Sequence, residues 1–168
     1  MRVVAYVREA ADPAEDRPAF AQQEEIRRFA AAHGLQVVAV CQDVRSPGRS
    51  LGRDGYLGLV GILASGSAEA VLLPGLATLS SDIVVQEIMI WDLRSRGIRV
   101  LSTDAADLAV LGANPPDADR RFVRHVLARV AEHAALAPQS PASPALRPAE
   151  DGESIVVSLV APEDQPPV

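Results

Sequence analysis

Apolar residues follow two patterns along this chain: short runs that are almost entirely apolar, and longer stretches in which apolar positions recur with helical spacing. The short runs are typical of buried parallel strands and cover residues 2–7, 35–41, 70–73 and 98–102. The longer stretches predict amphipathic helices at residues 18–33, 54–65, 82–96 and 117–136. Because strands and helices alternate, we predict a three-layer α/β fold with a mostly parallel sheet of four to five strands and a long C-terminal helix.

Glycine recurs at every third position around the second predicted helix, at Gly52, Gly55, Gly58 and Gly61. Glycine lacks a Cβ, so this spacing predicts a thin helix face that permits close approach of another backbone. The same residues weaken the helix by roughly 1 kcal/mol each relative to alanine. The run does not follow a strand, so it is not a dinucleotide-binding loop.

The composition changes near residue 137, which we take as the end of a folded domain comprising residues 1–137. Residues 138–152 are rich in Pro, Ser and Ala and predict a semi-rigid linker. The tail, residues 153–168, contains one apolar, strand-like stretch with acidic residues on both sides. Its alternating residues Ile155, Val157 and Leu159 form a candidate peptide motif that adds to a sheet edge, in cis or in a partner. The alternative is a disordered tail with chance hydrophobic residues.

The amino-acid composition and the net charge limit the fold class and the binding partners that we expect. Hydrophobic residues make up 48% of the chain and aromatic residues only 4%, which favours an aliphatic core between helices and a sheet. A formal net charge of −6 argues against nucleic-acid binding over the whole surface, although it leaves a local basic patch open. All 16 basic residues are arginines, which together with abundant alanine is typical of a GC-rich, bacterial genome.

The single cysteine and the lengths of the apolar runs indicate the cellular compartment of the protein. The single Cys41 excludes a disulfide framework within the chain and is interpreted as a buried structural thiol in a reducing compartment. No apolar run approaches the ~18 residues of a membrane span, and the N-terminus lacks a signal-peptide pattern. We therefore expect a cytoplasmic protein with no membrane partner.

Several short motifs resemble those of one enzyme family. Their residues, in chain order, are Tyr6, Arg8 and Ala10; Gln22 or Gln23; Asp43, Gly48, Ser50, Leu51, Arg53 and Gly55; Ala77, Thr78, Leu79, Ser80 and Ser81; and 129–135. With this order and spacing, residues 2–136 resemble the catalytic domain of the serine recombinases, the resolvase/invertase family. The loop after Asp43, which in that family reads Ser-Gly-x-Ser-Leu-x-Arg-Pro-Gly, is the most specific match, with Pro47 and Asp54 departing from it.

The resemblance implies a lost active site. Family enzymes cut DNA by attack of a serine on a phosphodiester, and arginines stabilise the charge that develops there. The position of that serine is occupied here by Ala10, and further catalytic positions of the family are occupied by Ala77, Thr78, Ser81 and Ala135. We predict a catalytically inactive protein. Arg8, Asp43 and Arg53 survive, either as a remnant anion-binding or phosphate-binding site or through structural pairing, for example of an arginine with Asp43.

Two functions remain open. The first is an oligomerising or partner-binding scaffold or regulator that forms a homodimer or higher oligomer through the 117–136 helix, with an unknown protein partner. The second is a DNA-binding accessory or regulatory protein related to site-specific recombination, in which strand cleavage needs a partner's serine. Arg120, Arg121, Arg124 and Arg129 form a basic stripe for DNA or an interface, although such a stripe is usually a solvated helix face.

Three other candidate sites have less support from the sequence. Residues 48–52 read Gly-x-Ser-x-Gly, but they lie several residues after the strand instead of on a sharp strand-to-helix turn, which argues against a hydrolase. His125 and His133 lack a partner at ligand spacing, so we expect no metal, and we expect no cofactor. Ser80 or Ser81 as a displaced nucleophile would need a base that the sequence does not supply.

Overall fold

The computed structural model describes residues 1–10, 17–44 and 50–136. Their strands and α-helices are, in chain order, β1 Arg2–Glu9, α1 Ala19–Ala32, β2 Gln36–Val44, α2 Asp54–Ala64, β3 Ala70–Leu73, α3 Ile83–Ser95, β4 Arg99–Ser102, α4 Asp107–Leu111 and α5 Ala118–Leu136. Met1–Ala135 forms one compact unit. The predicted linker 138–152 and tail 153–168 lie outside the described residues. No helix of the described ranges is long and apolar enough to cross a membrane.

The sheet consists of four parallel strands in the order β2-β1-β3-β4, which confirms the predicted α/β class. Strand β1 is central and its residues 3–8 are buried, as a strand covered on both faces requires. Its pairing with β2 shifts once: Val3 faces Val37, whereas Val4 faces Ala39, so Val38 is an extra residue. From Val4 to Glu9 the pairing continues without interruption.

Two apolar layers cover the sheet. One face packs against α2 and α3 and contains the larger cluster, with Tyr6, Leu59, Leu73, Met89 and Leu93 among its members. The other face packs mainly against α1, through Val3, Ala5, Val7, Ile26 and Leu72 among others. The alternation of these side chains along β1 follows from the period of two residues in a strand. Helices on both faces confirm the three-layer prediction.

The prediction of a thin glycine face is wrong for three of its four members, one of which, Gly52, precedes α2 and has nothing within 4 Å of a Cβ position. A Cβ on Gly55 would lie 2.5 Å from the carbonyl oxygen of Gln42, so this glycine allows α2 to approach β2 closely. A Cβ on Gly58 or Gly61 would meet nothing within 4 Å, and both residues face solvent. The three-residue spacing does not keep all glycines on one packed face, because α2 turns by 300° over three residues.

Two short elements have no counterpart in the sequence prediction. A 3-10 helix, Leu76–Thr78, follows β3, and α4 follows β4. The carboxylate of Asp107, the first residue of α4, accepts hydrogen bonds from the backbone N–H of Leu76 at 2.8 Å and from the hydroxyl of Ser102 at 2.6 Å. This carboxylate ties the end of β4 to the segment that follows β3.

Candidate functional site

The predicted remnant residues gather at the carboxyl ends of β1 and β2. Arg8 lies near the end of β1 and is only 6% exposed. Its Nε donates to the carbonyl of Thr78 at 3.0 Å and its Nη2 to the carbonyl of Ala77 at 2.9 Å. Two positions that the resemblance assigns to catalysis therefore meet a remnant arginine, but through their backbone carbonyls.

Gln22 holds the backbone of Arg8 in place. Its side-chain Nε2 donates to the Arg8 carbonyl at 2.8 Å, and its Oε1 accepts from the Arg8 N–H at 3.3 Å. Gln22 is buried, whereas Gln23 faces outward and contacts Gln42 at 3.2 Å. Of the two glutamines left open by the sequence, Gln22 is the one at the site.

Asp43 accepts three hydrogen bonds and pairs with neither remnant arginine within the described residues. Its carboxylate receives the Tyr6 hydroxyl at 2.7 Å, the Gly55 N–H at 2.7 Å and the Tyr56 N–H at 3.1 Å. The two backbone donors belong to the first turn of α2, whose N-cap residue Arg53 gives no side-chain cap. Asp43 thus caps α2 from a neighbouring strand, and the suggested pairing of an arginine with Asp43 is wrong.

The phenol of Tyr6 is held in its neutral form. Burial raises the pKa of Tyr6 far above its ordinary value, the hydrogen bond to Asp43 raises it further, and the nearby Arg53 opposes both. Burial, followed by the charge of Asp43, also raises the pKa of the Cys41 thiol. Cys41 is buried in the larger core cluster, so the structure favours the structural interpretation of this thiol.

Arg53 is the most enclosed cation of the site, with 3% exposure. Its Nη2 donates to the carbonyl of Leu79 and contacts the Met89 sulfur at 3.3 Å. Its Cζ lies 5.8 Å from the centre of the Tyr6 ring, a distance that allows a cation–π contact. Within the described ranges, its Nε and Nη1 are buried without a hydrogen-bond partner.

Arg8 and Arg53 therefore converge on the carbonyls of three consecutive residues, Ala77, Thr78 and Leu79. Carbonyl oxygens are the acceptors that a guanidinium needs when it is buried. The hydrogen bonds of these two arginines hold the segment after β3 against β1 and against the start of α2. The sequence identified these arginines but could not show which way their side chains point.

The two serines considered as displaced nucleophiles differ in environment. Ser80 is completely buried, its Oγ accepts the N–H of Asp82 at 3.0 Å, and its carbonyl accepts from Gln86 at 2.8 Å. Ser81 is exposed. Among the described residues no carboxylate or imidazole contacts either hydroxyl, so this part of the chain supplies no base for nucleophilic activation.

Helix α5 is attached to the domain by ion pairs. Glu87 of α3, 1% exposed, accepts from Arg120 at 2.8 Å and from Arg124 at 2.6 Å. Arg124 also donates to the carbonyls of Val110 and Gly112, each at 2.6 Å. The predicted basic stripe is therefore largely engaged inside the domain: Arg121 donates to two proline carbonyls, and Arg129 forms an exposed pair with Glu132.

The opposite side of α5 is apolar and exposed. Phe122, Val126 and Val130 are 69%, 41% and 60% exposed, and their four-residue spacing places them on one face. Arg120 lies about 200° around the helix from Phe122, at 100° per residue. Arg120 and Arg124 therefore point toward their own domain, whereas Phe122, Val126 and Val130 point toward solvent on a face that also carries Arg129.

The remaining predicted residues are not brought together. Ala10 directly follows β1 and is partly exposed, and Ala135 is exposed near the end of α5. His125 and His133 are exposed on α5, and the described ranges contain no group of three or more metal-ligating side chains. Gly48 of the Gly-x-Ser-x-Gly pattern and the tail motif Ile155, Val157 and Leu159 lie outside the described residues.

An open, all-parallel sheet with polar side chains at the ends of its central strands and a long terminal helix defines a resolvase-type α/β domain. The chain belongs to the resolvase N-terminal domain family, whose profile matches residues 3–136. No curated protein sequence matches it significantly.

Solved structures agree on the fold. The N-terminal catalytic domain of TP901-1 integrase is 18% identical with a TM-score of 0.58, and the match covers 81% of this chain and 98% of that one. A resolvase family site-specific recombinase from Streptococcus pneumoniae is 18% identical with a TM-score of 0.54, covering 81% and 99%. The C-terminal catalytic domain of ISC1926 TnpA, an IS607-like serine recombinase, is 21% identical with a TM-score of 0.54, covering 81% and 85%.

Proposed function

We propose that this chain is a non-cleaving member of the family that acts as a self-associating or partner-binding scaffold through α5. The observation that carries the proposal is the exposed apolar face formed by Phe122, Val126 and Val130. An ordinary surface helix buries its apolar face against its own domain. Here the domain side is held by Arg120 and Arg124 through Glu87, so the apolar face remains for a second surface.

The lack of a nucleophile at the position where the family resemblance expects one supports a binding role. Ala10 follows β1 where the family resemblance expects the nucleophile, and a methyl group cannot attack phosphorus. Arg8 and Arg53, which would stabilise a phosphate, are buried and donate to the carbonyls of residues 77–79. A phosphodiester would have to displace those contacts and enter a buried position, so we expect no strand cleavage.

The DNA-binding alternative has less support. Its candidate contacts are the remnant arginines and the stripe on α5, and Arg8, Arg53, Arg120 and Arg124 all donate to partners within the domain. Backbone binding needs cations that are free to replace counterions. The net charge of −6 disfavours long-range attraction to DNA as well.

The test is the oligomeric state of the full chain, measured by light scattering from one to about a hundred micromolar. The proposal expects a dimer or a larger defined oligomer, and the double variant Phe122→Ser, Val126→Ser should shift it to a monomer while thermal unfolding shows that the domain stays folded. Leu57→Ser is the matched control, because Leu57 is an exposed leucine on α2 whose loss should leave the oligomer intact.

The scaffold proposal would be overturned if the chain is a monomer at every concentration and also captures no protein through α5. Duplex DNA measured at physiological salt separates the alternative: affinity that survives the α5 double variant but disappears with Arg129→Ala would favour DNA binding. Covalent attachment to a nicked suicide duplex, abolished by Ser80→Ala or Ser81→Ala, would contradict a non-cleaving protein.

A further inference from the structure

The exposed face of α5 has the same pattern of apolar and charged positions in both directions along the helix. Phe122 and Val130 lie four residues before and four residues after Val126, and Asp119 and His133 lie seven residues before and after it. At 100° per residue, these five positions fall within a sector of about 80°. All five side chains are exposed. Such a face is complementary to a second copy of itself that runs in the opposite direction.

The two halves of α5 differ in their contact with the domain. The first half, residues 118–127, is tied to Glu87 by Arg120 and Arg124. In the second half, residues 128–135, every residue is exposed except Ala131, which is partly exposed. The second half therefore presents most of its surface to whatever binds α5, whereas the first half lies beside its own domain.

A groove lies between the first half of α5 and the start of α3. Its lining includes Asp119 and Phe122 of α5 and Asp82 and Val84 near the start of α3. Val84 is 50% exposed and extends the apolar surface beyond Phe122. The carboxylate of Asp82 caps α3 by accepting from the N–H groups of Val84 and Val85. The groove thus combines apolar side chains with the exposed acidic residue Asp119.

The charges on the exposed face of α5 favour an antiparallel partner helix. Asp119 lies in the first turn of α5, whereas Arg129 and His133 lie in its second half. Two parallel copies would place Asp119 opposite Asp119 and His133 opposite His133, and like charges at short range are destabilising. Antiparallel copies place an imidazole beside a carboxylate, to which its N–H can donate.

We infer that the partner of α5 is a second copy of this chain, and that the two helices pack antiparallel about a two-fold axis at Val126. The inference rests on the proposed function, to which it adds the partner and the register. Phe122 then contacts the partner's Val130, and His133 contacts the partner's Asp119 beside the groove at α3. Each contact occurs twice, because a two-fold interface uses the same surface of both copies.

Disulfide cross-linking of the full chain tests the register. Val126→Cys should form a linked dimer under mild oxidation, because the two positions meet at the axis. Phe122→Cys alone should not, since the two copies of this position are about 12 Å apart along the helices and a disulfide requires Cα atoms within about 7 Å. An equimolar mixture of Phe122→Cys and Val130→Cys should form the link again.

Two controls accompany the cross-linking. Leu57→Cys places a thiol at an exposed position of α2 and measures linkage by chance collision, which Val126→Cys should exceed about tenfold. The native Cys41 is buried, so the unchanged chain should give no linked dimer.

A charge exchange tests the contact between His133 and the partner's Asp119. His133→Asp should raise the dissociation constant of the dimer about fivefold, because two pairs are lost and carboxylates then face each other. Adding Asp119→His restores the pairs in reversed order and should recover most of the affinity. The matched control is Ala128→Asp, which adds a carboxylate about 200° around the helix from Val126 and should leave the dissociation constant unchanged. Circular dichroism checks that each variant is folded.

Four results would overturn the inference. If Phe122→Cys links to itself as readily as Val126→Cys, the helices are parallel. If light scattering shows a dimer but no α5 cysteine links above the Leu57→Cys level, the copies meet elsewhere. If the charge exchange does not recover the affinity that His133→Asp loses, His133 does not contact Asp119. If the chain is a monomer that captures a different protein through α5, the proposed function stands with another partner, whereas a monomer that captures none removes both.

Discussion

The Tyr6 hydroxyl donates a 2.7 Å hydrogen bond to the carboxylate of Asp43, joining neighbouring strands β1 and β2 beneath the start of α2. The same carboxylate accepts from Gly55 and Tyr56 in the first turn of α2. One buried side chain therefore fixes three elements. Asp43, which the family resemblance places near the active-site loop, therefore has a structural role in this domain.

Asp43→Ala should destabilise the domain by about 2–4 kcal/mol. Loss of a helix cap costs about 1 kcal/mol, and a buried Tyr6 hydroxyl left without an acceptor costs about 1–3 kcal/mol more. Urea unfolding followed by far-ultraviolet circular dichroism measures the change. Asp54→Ala, at an exposed position in the first turn of α2, should cost only about 0.3–1 kcal/mol through the helix dipole. Equal losses in the two variants would contradict the capping role.

Alkaline pH should unfold the protein through its tyrosines. The chain has two tyrosines, and burial raises the pKa of both Tyr6 and Tyr56, with Asp43 and Asp92 adding to the respective shifts. A raised pKa in the folded state contributes stability that is complete below the ordinary value of about 10 and is lost as the pH rises through the folded value.

Tyrosinate absorbance should therefore stay flat in the native state and rise together with the loss of circular dichroism. Tyr6→Phe should weaken the pH dependence above about 10, because only Tyr56 then contributes to it. Tyrosinate absorbance that titrates near the ordinary pKa while the protein stays folded would show that the phenols are accessible.

Two glycines on α2 should respond to alanine with opposite signs. Gly55→Ala places a Cβ 2.5 Å from the Gln42 carbonyl oxygen and 2.8 Å from the Asp43 carboxyl carbon, an overlap that costs about 1–3 kcal/mol. Gly58→Ala meets nothing within 4 Å and should stabilise the helix by about 0.5–1 kcal/mol. The difference between their unfolding midpoints is the measurement, and a destabilising Gly58→Ala would mean that this face of α2 is covered.

The sequence predicts the strands and the long helices closely because each of them has one dominant hydrophobic pattern. Ala70–Leu73 is entirely apolar and entirely buried, as a strand covered on both faces must be. Strand β2 extends to Val44, beyond the predicted end at residue 41, since an edge position accepts the polar Gln42. The short α4 has no such signal, because Asp107 accepts hydrogen bonds from Ser102 and from Leu76, and Leu76 lies 31 residues away in the sequence.

The residues of the candidate site could be predicted from the sequence, but the directions of their side chains could not. Motif spacing brought Arg8, Asp43 and Arg53 together, and the fold places all three at the ends of β1 and β2. Whether a guanidinium turns outward to an anion or inward to a carbonyl depends on acceptors that other segments supply. For Arg8 and Arg53 those acceptors are the carbonyls of residues 77–79, whose position no local pattern indicates.

Glu87→Gln should release α5 from the domain. Helix α5 has no buried residue of its own, and Glu87 is the acceptor for both Arg120 and Arg124. Neutralising this buried carboxylate should cost about 1–3 kcal/mol, less than a fully enclosed ion pair because the arginine side chains remain partly hydrated.

Hydrogen exchange within residues 118–127 is the sensitive measurement, because α5 can detach while the sheet stays folded. Glu132→Gln is the matched control: its pair with Arg129 is 60% and 67% exposed and should contribute at most about 1 kcal/mol. If Glu87→Gln speeds exchange in α5 and also weakens the oligomer, the ion pairs set the orientation of the apolar face. If α5 exchanges as slowly as in the wild type, it is held by contacts other than these arginines, and the orientation of Phe122 and Val126 needs another cause.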